Sequence, residues 1–310
     1  MLPDHNRYLN RTGPTPLVPV RLEDDDPVVW CKLEFLNPSG STKDRIAQFI
    51  LEKAWRRGQL RPGSLVVEAS SGSTSIAMAL ACAQYGLRFV AVMPEGVSSE
   101  RVLMIRAYGG EVRLTPAEGG LRGAIAETER LAAECGAFLP RQFDNPDNAE
   151  AHRTGTAREI LSQIPGGVVD AVVCGVGTGG TLVGLNQGLT ECGASARPFV
   201  ARPVELTRVL DAECCGFSSR VPGVVECMST IFRPEELPGL EIVEVAAEEV
   251  IETTRRLIRH GFPVGPSSGL NYAAARVACR RLGDPLARVV TLFPDRMERY
   301  FSTELFAEAR

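Results

Sequence analysis

Four polar turns carry the residue types that chemistry needs, and each precedes a helical pattern. Gly175-Val176-Gly177-Thr178-Gly179-Gly180-Thr181 follows the apolar run Asp170 to Cys174. Amides unhindered by Cβ atoms, at the positive end of a helix, can surround a phosphate. The same spacing fits a dinucleotide fingerprint, which wants an acidic residue about 20 positions on, at the end of the next strand. Here the next strand-like run, Pro198 to Ala201, ends in Arg202-Pro203, so the phosphate cradle is the better reading. Asn37-Pro38-Ser39-Gly40-Ser41-Thr42-Lys43-Asp44-Arg45 places Lys43 in the first turn of a helix. The positive helix end disfavours a cation there and favours the neutral amine, the form that makes Schiff bases. No GxxxxGK precedes it, so it is not a Walker loop. Glu68-Ala69-Ser70-Ser71-Gly72-Ser73-Thr74-Ser75 sets hydroxyls at a helix start, a seat for a carboxylate. Gly265-Pro266-Ser267-Ser268-Gly269 adds a further hydroxyl at a Ser-capped helix start. Singly, each turn also reads as a capped helix or a solvated loop. As a set they suit a phosphorylated aldehyde held on a lysine, acting on an amino acid.

The elements that must position these turns alternate strand and helix. Strands are expected at Val28 to Leu33, Leu65 to Glu68, Arg88 to Met93, Glu111 to Leu114, Asp170 to Cys174 and Arg288 to Phe293. Helices are expected from Ser41-Thr42 through Ala54, then at Ile76 to Tyr85, Glu100 to Tyr108 and Leu121 to Cys135. They resume at Ala149 to Ile164, Leu182 to Leu189, Glu248 to His260 and Gly269 to Leu282. Apolar strands between amphipathic helices imply an α/β fold with parallel sheets covered on both faces. In such sheets ligands bind at the carboxyl ends of the strands, where the polar turns fall. Arg202 to Leu240, rich in Pro and Cys, reads as irregular surface, and Gln142 to Pro146 is the best candidate for a domain boundary.

The chain has 310 residues, 44% hydrophobic and 23% charged, with a net charge of −4. That excludes a disordered chain and suggests two domains. Without a basic excess, neither nucleic acid nor an anionic membrane surface is an expected partner. The longest apolar stretches, such as Ile76 to Ala83, are too short to span a bilayer. The N-terminus lacks a signal-peptide pattern, so the cytoplasm is the expected compartment. Nine cysteines with no CxxC pair, and three histidines, give no signature of a metal site. Cys82 and Cys174 lie in apolar runs as small hydrophobes, and the vicinal Cys214-Cys215 reads as a reduced pair.

The motifs together resemble the fold-type II pyridoxal-phosphate enzymes, specifically the cysteine synthase and cystathionine β-synthase group. The resemblance runs from Thr12-Gly13-Pro14-Thr15-Pro16-Leu17 through Lys32-Leu33-Glu34, Asn37 to Arg45, Ser70 to Ser75, Gln142 to Asn145 and Gly175 to Thr181. It continues at Ser267 to Gly269 and ends at Pro294-Asp295. It implies a tryptophan synthase β-like fold of two domains, each with a mostly parallel twisted sheet flanked by helices. Residues 42–145 would form a smaller mobile domain holding the substrate carboxylate. Residues 1–41 and 146–310 would form a larger domain holding the cofactor phosphate.

By the same resemblance, Lys43 would carry pyridoxal 5′-phosphate and serve as the base that moves the α-proton. Gly177, Thr178, Gly179, Gly180 and Thr181 would hold the phosphate, and Ser267 would face the pyridine nitrogen. A neutral hydroxyl there weakens the electron sink and favours β-elimination chemistry over transamination. Ser70, Ser71, Gly72, Thr74 and Gln142 would grip the substrate carboxylate, with domain closure over the reacting amino acid. Ser73 stands where the family usually has an Asn that donates to the cofactor's 3′-oxygen, and would bind the cofactor there in its place. Gly155 stands where a Thr is common, and Arg202-Pro203 replaces an acidic-Pro pair. Cys214, Cys215, Cys227 and Arg220 fall where the family varies its active-site entrance. No extra haem-binding or regulatory domain is evident.

The activity implied is β-replacement on an O-activated L-serine (O-acetylserine or O-phosphoserine) by sulfide or a thiol, in a homodimer. The rival within the family is β-elimination, as in a cysteine desulfhydrase or serine dehydratase. The rival of another class is an NAD-dependent oxidoreductase using the Gly175 loop.

Overall fold

Strands that are apolar on both faces need helices on both sides, and the chain distributes them over two such layers. The computed structural model describes residues 11–204 and 229–309. In chain order the elements begin β1 (Leu17–Val20), β2 (Val29–Lys32), α1 (Lys43–Arg56), β3 (Leu65–Ala69), α2 (Ser73–Tyr85) and β4 (Arg88–Pro94). They continue with α3 (Ser99–Ala107), β5 (Glu111–Thr115), α4 (Gly120–Cys135), α5 (Asp147–Ala151), α6 (Ala157–Gln163) and β6 (Ala171–Gly175). The last are α7 (Gly180–Glu191), β7 (Arg197–Val204), β8 (Glu241–Ala246), α8 (Ala247–Arg259), α9 (Pro266–Leu282) and β9 (Val289–Leu292).

A six-stranded sheet has the order β1-β2-β9-β6-β7-β8. Only β1 runs antiparallel, along β2 at one edge, and the other pairs are parallel. A three-stranded parallel sheet, β3-β4-β5, is an excursion between β2 and β6. Apolar clusters line both faces of each sheet. Among the described residues no helix is long and apolar enough to cross a membrane.

The large sheet reverses its winding between β6 and β9, because β7 and β8 add on one side of β6 while β9 lies on the other. The crevice outside the carboxyl ends of two such strands is where open α/β sheets bind ligands. Cys174 and Gly175 at the end of β6, and Leu292, Pro294 and Asp295 around the end of β9, line the same cavity.

Several sequence expectations change in detail. The single helix expected over Ala149 to Ile164 is interrupted by a π-helical turn at His152–Thr156. Helix α7 packs closely on this segment: a Cβ at Gly184 would lie 2.2 Å from the Ala149 carbonyl, and one at Gly188 would lie 2.5 Å from that of Arg153. Strands β1 and β8 had no expectation. β8 reads Glu-Ile-Val-Glu-Val-Ala, with Val243 and Val245 buried and Glu244 exposed on the other face, as befits a sheet edge. β7 carries Arg202-Pro203 as strand. Residues 229–240 hold only a short 3-10 turn. Cys214, Cys215, Cys227 and Arg220 lie outside the described residues.

Candidate active site

The turns converge on one cavity of about 110 Å³. Lys43 is the first residue of α1, but Thr42 makes no side-chain cap bond. Instead the Asp44 carboxylate ties the turn, accepting from Ser39 N at 2.9 Å, Ser39 Oγ at 2.6 Å and Ser41 N at 3.3 Å. The Arg299 guanidinium holds the same turn from behind, donating to the carbonyls of Gly40 at 2.8 Å and Ser39 at 2.5 Å. Lys43 therefore starts its helix on a fixed base. Burial pulls its amine below the ordinary lysine value, opposed by the negative charges of Asp295 and Glu34. Among the described residues the Lys43 amine has no hydrogen-bond or ion-pair partner, so its neutral form is available for bonding.

One residue further on, the Arg45 guanidinium lies between two carboxylates. Nε and Nη2 reach Glu34 at 2.6 and 2.8 Å, and Nη1 and Nη2 reach Glu159 at 2.7 and 2.8 Å. Burial alone would raise the Glu34 carboxyl, yet Arg45 holds it at about 2.

The second turn follows β3. Ser70 Oγ accepts from the amides of Gly72 and Ser75, both at 3.1 Å, and shares a proton with Ser75 Oγ at 2.6 Å. Its hydroxyl is thus engaged within the turn, while Ser70 to Thr74 line the cavity. Thr74 Oγ1 donates to Gln142 Oε1 at 2.5 Å, and Gln142 Nε2 donates to the Ala69 carbonyl at 2.7 Å, which pins the amide. Gly72 has φ +152, and a Cβ there would strike Arg101 Cδ at 2.3 Å. Arg101, itself buried, donates to the Ser71 carbonyl at 3.2 Å and lies over the Tyr300 ring at 5.0 Å.

Gly177, Thr178, Gly179 and Thr181 line the opposite wall at the start of α7. Gly180 does not line it: a Cβ there would fall 2.0 Å from Asn148 Oδ1. Asn148 Nδ2 donates to the Gln142 carbonyl at 2.8 Å and to Thr178 Oγ1 at 2.9 Å, stitching the two walls together. The fourth turn follows an isolated bridge at Val264 rather than a strand end. Ser267 lines the cavity. Asn271, on the same helix, accepts from Gly175 N at 2.7 Å and donates to the Leu292 carbonyl at 2.9 Å, bolting α9 across the β6–β9 crevice.

Behind the second turn, Glu68 is buried, and burial pushes its carboxyl up to about 8 although Ala69 and Gln142 donate backbone N–H groups to it. The unfolded chain gives up this proton near 4.5, the folded chain near 8. Between those values the fold binds the extra proton, so its stability falls as pH rises. Glu68→Gln should flatten that fall, read as urea midpoints from pH 5 to 8.

Sequence reasoning missed Arg101, Asn148 and Asn271, and gave Asp295 no role. None sits in a glycine- or serine-rich turn, the signal used to find the others.

The cavity suits pyridoxal phosphate. Gly177 and Gly179 line the cavity at the start of α7, and Gly179 has φ +77 with Phe232 Cβ 2.4 Å from where its own Cβ would stand, so glycine is needed to hold these backbone amides in a phosphate-sized turn. Lys43, with its lowered amine, lines the same cavity.

A family model described as pyridoxal-phosphate dependent enzyme matches residues 8–295. A cysteine synthase of Staphylococcus aureus (strain Mu50) is 38% identical over 301 residues, 95% of each chain. An O-acetylserine dependent cystathionine beta-synthase from Helicobacter pylori superposes with a TM-score of 0.85 and 32% identity, covering 95% of this chain and 96% of that one. A hydrogen sulfide-producing enzyme from Fusobacterium nucleatum gives a TM-score of 0.82 and 30% identity over 93% and 97% of the two chains.

Proposed function

Because this chain belongs to the pyridoxal-phosphate dependent enzymes, in the cysteine synthase family, we propose that it performs β-replacement on an O-activated L-serine. O-acetylserine or O-phosphoserine would lose its leaving group, and sulfide or a thiol would add at the β-carbon, giving L-cysteine or a related amino acid. The cofactor, when bound, supplies a carbon that links reversibly to amines and a sink for the electron pair left at the α-carbon.

The protein's own residues do the rest. Lys43 carries the cofactor through Nζ and, once released, takes the α-proton and returns it. Gly177, Thr178, Gly179 and Thr181 hold the phosphate, with Gly180 keeping the helix start against Asn148. Ser267 faces the ring nitrogen. Ser71, Thr74 and Gln142 take the substrate carboxylate, while Ser70 shapes their turn. Residues 42–145 act as a smaller domain that closes on the substrate and excludes water. The family resemblance supports a homodimer and a cytoplasmic location.

The observation that carries this reading is the convergence of Lys43, the Gly177–Thr181 turn and the Ser70–Thr74 turn on one cavity. β-Elimination is the second reading, favoured by the likeness to a hydrogen sulfide-producing enzyme. The purified protein would be offered O-acetylserine, O-phosphoserine, serine and cysteine, each with sulfide or homocysteine. A new thiol or thioether amino acid supports replacement. Pyruvate and ammonia alone support elimination, and a protein that never takes up the cofactor ends both readings.

A further inference from the structure

Pro294-Asp295 belongs to none of the four turns, yet Asp295 touches three of them. Its backbone forms an isolated bridge with Ser41, two residues before Lys43, and its carbonyl accepts from Gly265 N at 3.0 Å. Its Oδ2 accepts from Ser73 Oγ at 3.1 Å and from the Tyr300 hydroxyl at 2.7 Å. Its Oδ1 is buried and has no hydrogen-bond partner among the described residues. The residue is 5% exposed and lines the cavity. A Cβ at Gly265 would lie 2.4 Å from that Oδ1, so the glycine makes room for it.

A buried carboxylate without a cation is costly, and natural folds pair such charges. Among the described residues none of the nearby arginines forms an ion pair with Asp295, although Arg101 and Arg299 each keep a buried Nε without a hydrogen-bond partner. Arg299 holds the carbonyls of Ser39 and Gly40. Arg101 holds the Ser71 carbonyl and the Tyr300 face. Arg296 pairs with Glu298, and Asp44 is bound to the Ser39–Ser41 turn. Lys43 is the remaining cation among the described lining residues, and Asp295 is the foremost charge drawing its amine upward.

Resting on the function proposed above, we propose that Asp295 is the carboxylate that receives whichever nitrogen is not bonded to the cofactor. That nitrogen is the α-ammonium of the incoming amino acid, and then the Lys43 amine once displaced and protonated. Ser73, having given its proton to Oδ2, presents only lone pairs on the same side and adds a second acceptor. The acid thus selects for amines within a cavity otherwise built to bind anions.

The test compares two ligands on the cofactor-loaded protein, read as equilibrium changes in its absorbance or fluorescence. L-serine carries the ammonium, and 3-hydroxypropionate lacks it. Asp295→Asn should weaken L-serine about tenfold and leave 3-hydroxypropionate within about twofold. Asp295→Glu, which keeps the charge, should recover most of the loss. Equal weakening of both ligands would mean a merely structural role and overturns the proposal, as would unchanged affinity for both. If Asp295→Asn does not fold, the unaltered protein decides with N,N-dimethyl-L-serine, a cation that cannot bond to the cofactor. It should bind about tenfold more tightly than 3-hydroxypropionate, and equal affinities overturn the proposal. A parent that takes up no cofactor removes the assignment of the site itself, whereas a loaded parent without amine preference removes this inference alone.

Discussion

Lys43→Ala is expected to lower turnover by about 10²- to 10⁴-fold, the range lost with a positioned base. The same change should abolish borohydride locking of the cofactor onto the protein, since no other lysine lines the cavity among the described residues. It should not lower the urea midpoint. The amine is held below its ordinary value by burial, so it costs folding free energy that alanine does not. A variant that retained the parent's rate, or one that bound the cofactor covalently, would end the case for Lys43.

The second large effect concerns stability. Arg45→Met is expected to destabilise the fold by about 3–5 kcal/mol, because it strands a buried carboxylate. The Glu34 side chain is fully buried and that of Arg45 is 4% exposed, and among the described residues Thr15 and Asn37 would remain as side-chain donors to Glu34. The double variant Glu34→Gln, Arg45→Met should recover part of the loss in urea unfolding. The acid limb gives a second reading. Glu34 is depressed from 4.5 to about 2, so it contributes stability above 4.5 that is lost as pH falls toward 2. That loss should be shallower in Arg45→Met. An unchanged urea midpoint would show that the charges around Glu34 are solvated after all.

Much of this was legible in the sequence because the cofactor-type turns announce themselves by composition. Glycines at 177, 179 and 180, hydroxyls from 70 to 75 and a lysine opening a helix are local signals. The alternation of strands and helices was likewise local, since a strand such as β6 is apolar throughout. What stayed hidden is what acts between turns. Asn148 reaches Thr178 across 30 positions, and Asp295 meets Ser73 across 222. Neither residue type is unusual where it stands, and only the folded path of the chain gives it a partner. The π-turn at His152–Thr156 was hidden too, and the glycines of α7 that pack closely against this segment lie further along the chain. β8 was missed because its Glu residues mask an edge strand with one buried face.

The three-stranded sheet departs from the larger one after β2 and returns before β6, so one continuous stretch of chain supplies the Ser70–Thr74 turn and another supplies the Gly177–Thr181 turn. Under the roles proposed above, the substrate-carboxylate grip and Lys43 travel together on residues 42–145, while the phosphate grip stays on the other stretch. A recombinant exchanging residues 42–145 with a relative that keeps the lysine would trade substrate choice while keeping the chromophore. The seams to watch are Asn148 and Asp295, which sit on the acceptor side and must find their partners on whatever cassette arrives.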